Sequence, residues 1–494
     1  MRNARLIAWS LCIAKVAVHI ALIDRYGYHR DELYFIACGE RLALGYVDHP
    51  PLVPWIAALA GLLFDHSLFG LRILPALAGG ATVLLTTCLV RELGGGPRAV
   101  LLAGLAVVIP PAFLRMGKIL CIPVFEPLFW TLASLLVVRI VHGHKKQLWL
   151  AVGLVVGMGL LNKHSMLLWV AGMGVGLVAT PLRRELRSPM PWLGLALAFA
   201  VVAPNLWWQA QNGWATVVFL RSMSAHLLAR VPASLFLLGQ ILYMHPLTLP
   251  VWLGGLAFFF THARYRALGW SFLVVIAALL ITGAKPYYAA PAYPVLFAGG
   301  GVALERLFAG RRWAHSLSVA TMSAGGLALG FMSVPVLDVQ RIDAVLGTTL
   351  GWIVDPNELT RELHDEHGWR EQAAAVMRVY GELPARERAV AVVLTGNYGQ
   401  ASAVNFFRSD REPPAVSGHM SYHLWGIDAD RGDVAIAYGL PRARLSELYD
   451  DVQEVAQIDH PLAMPQERHL PLYVCRRPSV PLARAWPSLR RYVH

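Results

Sequence analysis

Acidic residues are scarce in the first two thirds of this chain. Only ten of its 31 Asp and Glu residues precede position 337, and four of those ten lie between Asp31 and Asp48. Charged residues make up 15% of the chain and hydrophobic residues 56%, whereas about a quarter of a typical soluble domain is charged. The composition excludes an ordinary soluble protein and predicts a polytopic α-helical membrane protein.

The sequence also lacks the patterns of disulfide-rich, zinc-binding and nucleic-acid-binding proteins. Its five cysteines are scattered and form no Cys-x-x-Cys pair, which argues against a disulfide framework or a zinc cluster. The formal net charge is +12, but no Lys/Arg-rich run with interleaved aromatic residues is present, so nucleic acid is not an expected partner. The positive charge is instead informative by its position along the chain.

Apolar segments recur through the first 336 residues. A transmembrane helix needs about 20 apolar residues, and the candidates are 5–23, 70–91, 97–114, 122–141, 147–162, 165–182, 190–208, 233–260, 268–283, 287–304 and 313–336. The segment 233–260 contains His245-Pro246 and Pro250, so we expect it to be broken or paired. The predicted total is about 11 to 13 transmembrane helices.

The loops between these segments predict the orientation. With a cytoplasmic N-terminus, every inside loop is rich in Arg or Lys, as the positive-inside rule requires: 91–98, 139–146, 183–187, 262–266 and 305–312. The outside then receives the short turns between the spans, the segments 24–69 and 209–232, and everything after about 337. Residues 51–64 are too short to span, and we expect them to form a helix on the outer membrane surface.

The composition changes to that of a soluble domain at about residue 337. Alternating patterns predict strands at 389–394, 415–417, 434–438 and 470–474, and helical patterns lie at 358–380, 398–408 and 441–453. We therefore predict two domains: a transmembrane domain over 1–336, with the outer loop 24–69, and a small extracytoplasmic α/β domain over 337–494.

The outer loop contains the most unusual cluster of polar residues. Asp31 and Glu32 are adjacent, and Asp48-His49 follows before two prolines. Most acidic pairs are solvated loop charges, but carboxylates are costly to hold at a membrane surface and are scarce here. One of them is therefore a candidate general base. Asp48 and His49 are candidate ligands of a divalent cation.

A second group of charged residues lies at the predicted outer ends of other spans. Glu126 begins a span, and either an N-terminal helix-capping role or a site role fits that position. Outer loops should be poor in Lys, so the outer cations suggest a clamp for an anionic headgroup or phosphate. Their alternative role is snorkelling beside aromatic anchors. The residues concerned are Arg115, Lys118, Lys163 and Lys285, with Tyr287 and Tyr288 next to the last.

Two motifs of the outer loop resemble the lipid-linked-sugar glycosyltransferases of the GT-C class. They are Asp31-Glu32-x-x-Phe35 and Gly45-Tyr-Val-Asp48-His49-Pro50-Pro51-Leu52. The group they most resemble is glycosyltransferase family 39, which holds protein O-mannosyltransferases and the lipid A aminoarabinose transferase. Weaker matches extend over nearly the whole chain: Phe125-Glu126-x-Leu-Phe-Trp130, Leu160-Leu-Asn-Lys163-His-Ser165, Pro204-Asn-Leu-Trp-Trp-Gln209, Lys285-Pro-Tyr-Tyr-Ala-Ala-Pro-Ala-Tyr-Pro294, Asn397-Tyr-Gly-Gln-Ala401 and Ser417-Gly-His-Met-Ser-Tyr-His-Leu-Trp425.

The resemblance implies a GT-C fold and a specific chemistry. A sugar would move from a polyprenyl-phosphate carrier to an acceptor hydroxyl, with inversion, on the outer face of the bacterial cytoplasmic (inner) membrane. Asp31 would be the catalytic base, Glu32 a neighbour that tunes it, and Glu126 a second catalytic carboxylate where the family often has Asp. His49 is assigned to the donor phosphate or, with Asp48, to a metal, although Asp48-His49 departs from the Glu-Lys pair that the aminoarabinose enzyme has at this place.

The remaining expectations concern partners and alternatives. The partners are the bilayer, the polyprenyl-phosphate sugar donor and an acceptor that is a glycan, a lipid or a protein. No cofactor is required by this chemistry, and a divalent cation stays open. The principal alternative is a transporter or flippase of an anionic lipid or glycolipid, which would place ionisable groups near the bilayer midplane in two related halves. A noncatalytic scaffold would leave the 31–49 cluster unexplained.

Overall fold

The computed structural model describes residues 2–226, 231–350 and 356–492. Residues 227–230 of the predicted outer segment 209–232 therefore lie outside the described residues. The chain forms a polytopic helical membrane part, which is followed by a small C-terminal domain with one sheet.

The first part of the chain consists of helices joined by turns and loops, with no strand among its described residues. Its α-helices are α1 Arg2–Ala21, α2 Arg30–Glu40, α3 Leu52–Phe64, α4 Leu68–Glu92, α5 Pro97–Val108, α6 Pro111–Gly117, α7 Glu126–Val141, α8 Leu148–Asn162, α9 Met166–Val178, α10 Pro189–Gln211, α11 Ala215–His226, α12 Ala233–Tyr243, α13 Leu249–Thr261, α14 Arg266–Thr282, α15 Tyr293–Leu307 and α16 Arg312–Gly330. Short 3₁₀ helices join them at Ile122–Phe125, Pro181–Arg187, Pro246–Thr248, Ala263–Tyr265 and Pro286–Ala292.

Each of the predicted apolar segments coincides with a helix or a bent helix pair. Among the described residues, five helices are long and apolar enough to cross a membrane on their own, and the number rises to eight if each bent pair counts as one span. The predicted total of about 11 to 13 is larger, because it included short helices such as α8, which has 15 residues. Fifteen residues rise only about 22 Å, less than the hydrocarbon thickness.

Two of the bends have visible causes. The α5–α6 pair is bent by 64° at Pro110-Pro111, and the amine of the buried Lys15 donates a hydrogen bond to the carbonyl of Phe113 at 3.2 Å beyond this break. The predicted break in 233–260 is confirmed, with an 88° bend between α12 and the segment that starts at Pro246. Because proline lacks an N–H and clashes with the preceding turn, both breaks fall where the sequence places it.

The outer segment 24–69 forms two helices. The predicted helix at 51–64 is present as α3, and it exposes the apolar residues Leu59, Leu62 and Leu63. Helix α2 begins with a capping box, in which the His29 side chain accepts from the Asp31 N–H and the Glu32 carboxylate accepts from the His29 N–H. The residues that looked chemical in the sequence therefore also start this helix.

The C-terminal part is an α/β domain. Its helices are α17 Val339–Leu350, α18 Pro356–His364, α19 Trp369–Glu382, α20 Ala385–Val390, α21 Tyr398–Phe407, α22 Ser421–Trp425, α23 Arg442–Ser446 and α24 Leu482–Ala485, with 3₁₀ turns at Pro465–Glu467 and Trp486–Leu489. Its strands are β1 Ala391–Thr395, β2 Ala415–Ser417, β3 Val434–Tyr438, β4 Tyr449–Ile458 and β5 Leu470–Pro478.

The sheet order is β2-β1-β3-β5-β4. Strands β1, β2 and β3 are parallel, whereas β5 pairs antiparallel with β3 and with β4. The four predicted strands are present, but the predicted helix at 441–453 is wrong over most of its length. Only Arg442–Ser446 is helical, and β4 follows as an edge strand. Asp450 and Glu454 of this strand are exposed, as they would also be on a surface helix, so their charge did not distinguish a helix from an edge strand.

One hydrophobic core joins the outer loop to the C-terminal domain. Tyr34, Ala37 and Cys38 of α2 pack in the same cluster as Tyr398 of α21 and Ile436 of β3. Helix α2, which carries Asp31, is thus held between the membrane helices and the α/β domain.

Candidate active site

Asp31 lies at the second residue of α2 and is the most accessible carboxylate of the central cluster. The Tyr398 hydroxyl donates to Asp31 Oδ1 at 2.7 Å. The side chain remains 36% exposed, and Oδ2 accepts no hydrogen bond from any residue within the described ranges. Gly399 follows the tyrosine because a Cβ there would collide with the Arg30 side chain. One oxygen of Asp31 is therefore fixed and the other is open.

Positive groups surround Asp31 and hold it in the ionised form. Burial disfavours its charge, but the His29 imidazole, the Arg30 guanidinium and the Tyr398 hydrogen bond outweigh that effect and hold the pKa of Asp31 below its usual range. Asp365 faces the same two basic groups, at 3.5 Å from His29 Nε2 and 3.5 Å from Arg30 Nη2. Burial raises the pKa of Asp365. Two carboxylates thus share one imidazole and one guanidinium.

Glu32, in contrast, is fully engaged. Its carboxylate is 0% exposed and accepts both Arg72 Nε at 2.9 Å and Arg72 Nη2 at 2.7 Å. It also accepts the backbone N–H groups of His29 and Leu120, each at 2.9 Å. A carboxylate with a two-point guanidinium partner and two amide donors has no oxygen left for substrate.

The Arg72 guanidinium also reaches the C-terminal domain. Its Nη2 donates to Glu366 Oε2 at 3.1 Å, and the other Glu366 oxygen accepts from the Lys118 amine. Burial works against the charge of Glu366, but Lys118 and Arg72 outweigh it and lower its pKa. The sequence suggests Lys118 as part of a phosphate clamp. In the structure its side chain is buried and its amine is ion-paired with Glu366.

Asp48 and His49 form a second polar pair behind Asp31. The Tyr34 hydroxyl donates to Asp48 Oδ1 at 2.9 Å, and His49 Nε2 lies 3.8 Å from the same oxygen. His49 Nδ1 contacts the Pro50 carbonyl at 2.9 Å, and Nε2 is buried without a hydrogen-bond partner in the described chain. Burial raises the pKa of Asp48.

The predicted metal role of Asp48 and His49 finds no further ligand. No group of three or more His, Cys, Asp or Glu side chains suited to a metal converges among the described residues. One carboxylate and one imidazole are fewer ligands than protein zinc sites supply. The donor set of this pair does not by itself fit a metal centre.

Tyr34 links this pair to the C-terminal domain. Its hydroxyl accepts the Ser421 backbone N–H at 3.2 Å, and Ser421 Oγ accepts the Val47 N–H at 3.1 Å. The Tyr34 ring lies 4.5 Å from the Tyr398 ring, centroid to centroid. The supports of Asp31 and of Asp48 therefore pack directly on each other.

Glu126 forms a separate group at the start of α7. Its buried carboxylate accepts the Lys163 amine at 2.7 Å and the Ser165 hydroxyl. The same amine lies 4.7 Å from the centre of the Tyr288 ring.

Of the remaining predicted residues, Lys285 and Tyr287 adjoin Tyr288 of this second group in the chain, whereas Arg115 contacts Met332 and Glu362. Lys285 is exposed at the start of the 3₁₀ helix Pro286–Ala292 and makes no ion pair with any described residue. Tyr287 packs on Tyr288 with ring centres 4.7 Å apart. Arg115 donates to the Met332 carbonyl at 3.2 Å and lies 3.9 Å from a Glu362 oxygen. The structure thus gathers the candidates into an Asp31 group and a Glu126–Lys163–Tyr288 group.

Sequence reasoning missed the partners that complete the first group. Arg72 is a lone arginine inside an apolar span, a signal that the sequence did carry. Asp365 and Glu366 are adjacent acids in a segment rich in acids, so nothing in the sequence distinguished them. Tyr398 lies within the Asn397-Tyr-Gly-Gln motif, but its pairing with Asp31, 367 residues away, has no local signal.

The chain is similar to known proteins both in sequence and in fold. Residues 48–208 match the family described as "Dolichyl-phosphate-mannose-protein mannosyltransferase". The chain is 26% identical over 196 residues to the lipid A galacturonosyltransferase RgtD of Rhizobium johnstonii, a match over 39% of this chain and 41% of that protein. It is 29% identical over 173 residues to undecaprenyl phosphate-alpha-4-amino-4-deoxy-L-arabinose arabinosyl transferase 1 of Pseudomonas fluorescens, over 34% of this chain and 31% of that one. The matched part thus spans less than half the length of either curated relative.

The fold likeness covers far more of the chain. The crystal structure of ArnT from Cupriavidus metallidurans in the apo state superposes with a TM-score of 0.64 at 15% identity, over 94% of this chain and 97% of that one. The form bound to undecaprenyl phosphate gives a TM-score of 0.63 over the same shares. The resemblance inferred from the outer-loop motifs is confirmed at this level: residues 48–208 match the mannosyltransferase family model, parts of the chain are similar to two lipid-linked-sugar transferases, and the chain shares the fold of the ArnT structures.

Proposed function

We propose that this protein is an integral-membrane glycosyltransferase that moves a sugar from a polyprenyl-phosphate carrier to an acceptor hydroxyl. The observation that carries the proposal is the geometry of Asp31, an ionised carboxylate with one oxygen fixed by Tyr398 and the other open. The names of the curated relatives, which are sugar transferases, support the reaction class. The ArnT form bound to undecaprenyl phosphate supports the donor class.

In this proposal Asp31 is the general base. The acceptor hydroxyl donates its hydrogen bond to Asp31 Oδ2, while Oδ1 stays bonded to Tyr398. Because the pKa of Asp31 is low, the carboxylate is a weak base toward a free hydroxyl. It takes the proton late, as the hydroxyl oxygen bonds to the anomeric carbon and becomes more acidic.

The bonds balance without a covalent enzyme intermediate. The acceptor oxygen forms a bond to the anomeric carbon as the bond from that carbon to the phosphate oxygen breaks. The electron pair of the broken bond leaves with the polyprenyl phosphate, and the hydroxyl proton goes to Asp31. Attack from the face opposite the phosphate inverts the anomeric configuration, and Asp31 then returns its proton to water.

Cations near the second group are assigned to the leaving phosphate. Lys285 is exposed and has no described counter-ion, and Lys163 is 24% exposed although it pairs with Glu126. Fixed positive charge where phosphate charge develops lowers the barrier. Tyr287 and Tyr288 flank these amines as donors to the phosphate. His49 and Arg115 remain weaker candidates for this role.

The other predicted catalytic residues become positioning residues in this proposal. Glu126 holds Lys163, and Glu32 holds the first turn of α2 through Arg72. Lys118 neutralises Glu366 rather than a phosphate. We further propose that this side of the membrane is the extracytoplasmic face of a bacterial inner membrane, as the Arg- and Lys-rich loops predict.

The test uses purified protein in proteoliposomes with a panel of radiolabelled polyprenyl-phosphate sugars and mixed acceptor lipids and glycans. Asp31→Asn should lose about 10²- to 10⁴-fold in transfer, the usual contribution of a general base. The matched control is Asp65→Asn, an exposed residue of the same outer segment at φ 52°, a backbone conformation that Asn tolerates.

Two outcomes would contradict the proposal. One is equal transfer by the Asp31 and Asp65 variants. The other is movement of the labelled lipid across the bilayer with no sugar transferred from any donor of the panel, which would indicate a flippase instead.

A further inference from the structure

A cavity of about 300 Å³ lies where the end of α2 meets α10 and α22, away from Asp31. Its walls include the indoles of Trp208 and Trp425, the amide of Asn212 and the guanidinium of Arg41. Aromatic faces pack against the C–H faces of a sugar ring, while amide and guanidinium groups bond hydroxyl and anionic oxygens. The volume is at the lower end of the range for ligand pockets, about 300–1,000 Å³. The lining is therefore that of a carbohydrate pocket.

Arg41 makes this cavity selective for negative charge. Its guanidinium lies 4.6 Å from the centre of the Trp425 ring and makes no hydrogen bond or ion pair with any side chain in 2–226, 231–350 or 356–492. A guanidinium offers a planar edge of N–H donors that matches a phosphate or a carboxylate in two-point fashion, and its position over the indole adds a cation–π attraction.

A chain of hydrogen bonds and ring contacts connects the cavity to Asp31. Asp31 and Arg41 stand at opposite ends of α2, so about ten residues at 1.5 Å each separate them by roughly 15 Å. Ser421 lines the cavity and donates its backbone N–H to the Tyr34 hydroxyl. Tyr34 in turn packs on Tyr398, which holds Asp31.

We propose that this cavity binds the anionic sugar end of the acceptor, a sugar phosphate or a sugar acid whose charged group pairs with Arg41. The accepting hydroxyl would then lie roughly 15 Å away at Asp31, so the acceptor is longer than a single sugar. This inference rests on the proposed transferase function, because it assigns the cavity to the acceptor of that reaction.

The experiment measures equilibrium binding to the full chain in phosphatidylcholine nanodiscs. The probe is glucosamine 6-phosphate, with glucosamine and inorganic phosphate as comparisons, and the probe should bind more tightly than either. Arg41→Gln should weaken the probe about tenfold or more, the scale of a lost charge-assisted hydrogen bond, and Trp425→Leu should also weaken it.

The matched control is Arg370→Gln. Arg370 also lies over an aromatic ring, Phe407 at 4.7 Å, but lines a different cleft, so its loss should leave probe binding unchanged. Equal weakening by the Arg370 and Arg41 variants, or no weakening by Arg41→Gln, would overturn the inference. Nanodiscs of phosphatidylglycerol test whether an anionic lipid headgroup competes with the probe for the cavity. Loss of Arg41-dependent probe binding in these nanodiscs would mean that the cavity binds an ordinary phospholipid headgroup.

Binding and transfer fail independently in this design. Arg41-dependent binding in a protein that transfers no sugar would leave the pocket standing and remove the transferase function. Asp31-dependent transfer with no Arg41-dependent binding would support the transferase function and refute the proposed acceptor pocket.

Discussion

The hydrogen bond between Tyr398 and Asp31 gives a quantitative prediction. Tyr398→Phe removes the hydroxyl that donates to Asp31 Oδ1 at 2.7 Å but keeps the ring that packs on Tyr34. A hydrogen bond to a charged group contributes about 1.5–3 kcal/mol. Because the Asp31 side chain is 36% exposed, water screens and partly replaces this bond, and we expect the lower end of that range, about 1.5 kcal/mol, which corresponds to about one pKa unit.

The direction follows from which form of Asp31 is active. A base must be ionised, and the pKa of Asp31 is lowered in the folded protein, so activity is present above that pKa and is lost as the pH falls through it. Removal of a bond to the ionised form raises the pKa. The acid limb of the kcat/KM profile in Tyr398→Phe should therefore move up by about one pH unit.

The assay is transfer from a labelled polyprenyl-phosphate sugar between about pH 3 and pH 8, a range that brackets the ordinary carboxyl pKa. Tyr380→Phe is the matched control, since its hydroxyl donates to the Arg388 carbonyl at 3.5 Å and has no other hydrogen-bond partner among the described residues. An acid limb that does not move in Tyr398→Phe, or that moves equally in Tyr380→Phe, would refute the reasoning.

Two further predictions concern the charged network and the phosphate. Arg72→Met leaves the buried Glu32 and Glu366 without their shared partner and should lower the free energy of unfolding by about 3–5 kcal/mol, measured by thermal unfolding in detergent. The control is Arg91→Met, at an exposed position of the same helix. Equal unfolding temperatures for the two variants would contradict the role of Arg72 in the network. Lys285→Ala should lower kcat/KM for the donor about tenfold, because a charge-assisted contact with the phosphate is lost. Lys145→Ala, a change of another exposed lysine, should leave kcat/KM unchanged. An unchanged donor kcat/KM in Lys285→Ala would show that Lys285 does not bind the phosphate.

The sequence predicted those parts of the fold that depend on local patterns. Apolar runs located the membrane helices, and His245-Pro246 located a break, because hydrophobicity and proline act within a few residues. The 441–453 segment failed because its acids suit an exposed helix and an exposed edge strand equally well, and only pairing of β4 with β5 decides between them.

The candidate site residues remain predictions, and only some of their contacts follow from local patterns in the sequence. Asp31 was identifiable because a carboxylate after a first span is unusual. The sequence did not show which carboxylates are ion-paired and which are open. That difference depends on contacts such as the one between Arg72 and Glu366, which are 294 residues apart. Lys118 shows the consequence: the sequence predicts an outer-face cation, and the structure pairs its amine with Glu366 from the C-terminal part of the chain.

The most direct test is the single-turnover rate of sugar transfer by Asp31→Asn, compared with the Asp65→Asn control in the same proteoliposomes. A general base at Asp31 predicts a rate at least about 10²-fold lower, with donor binding retained and the inverted product in the control. Transfer by Asp31→Asn at the control rate would contradict the assignment of Asp31 as the base.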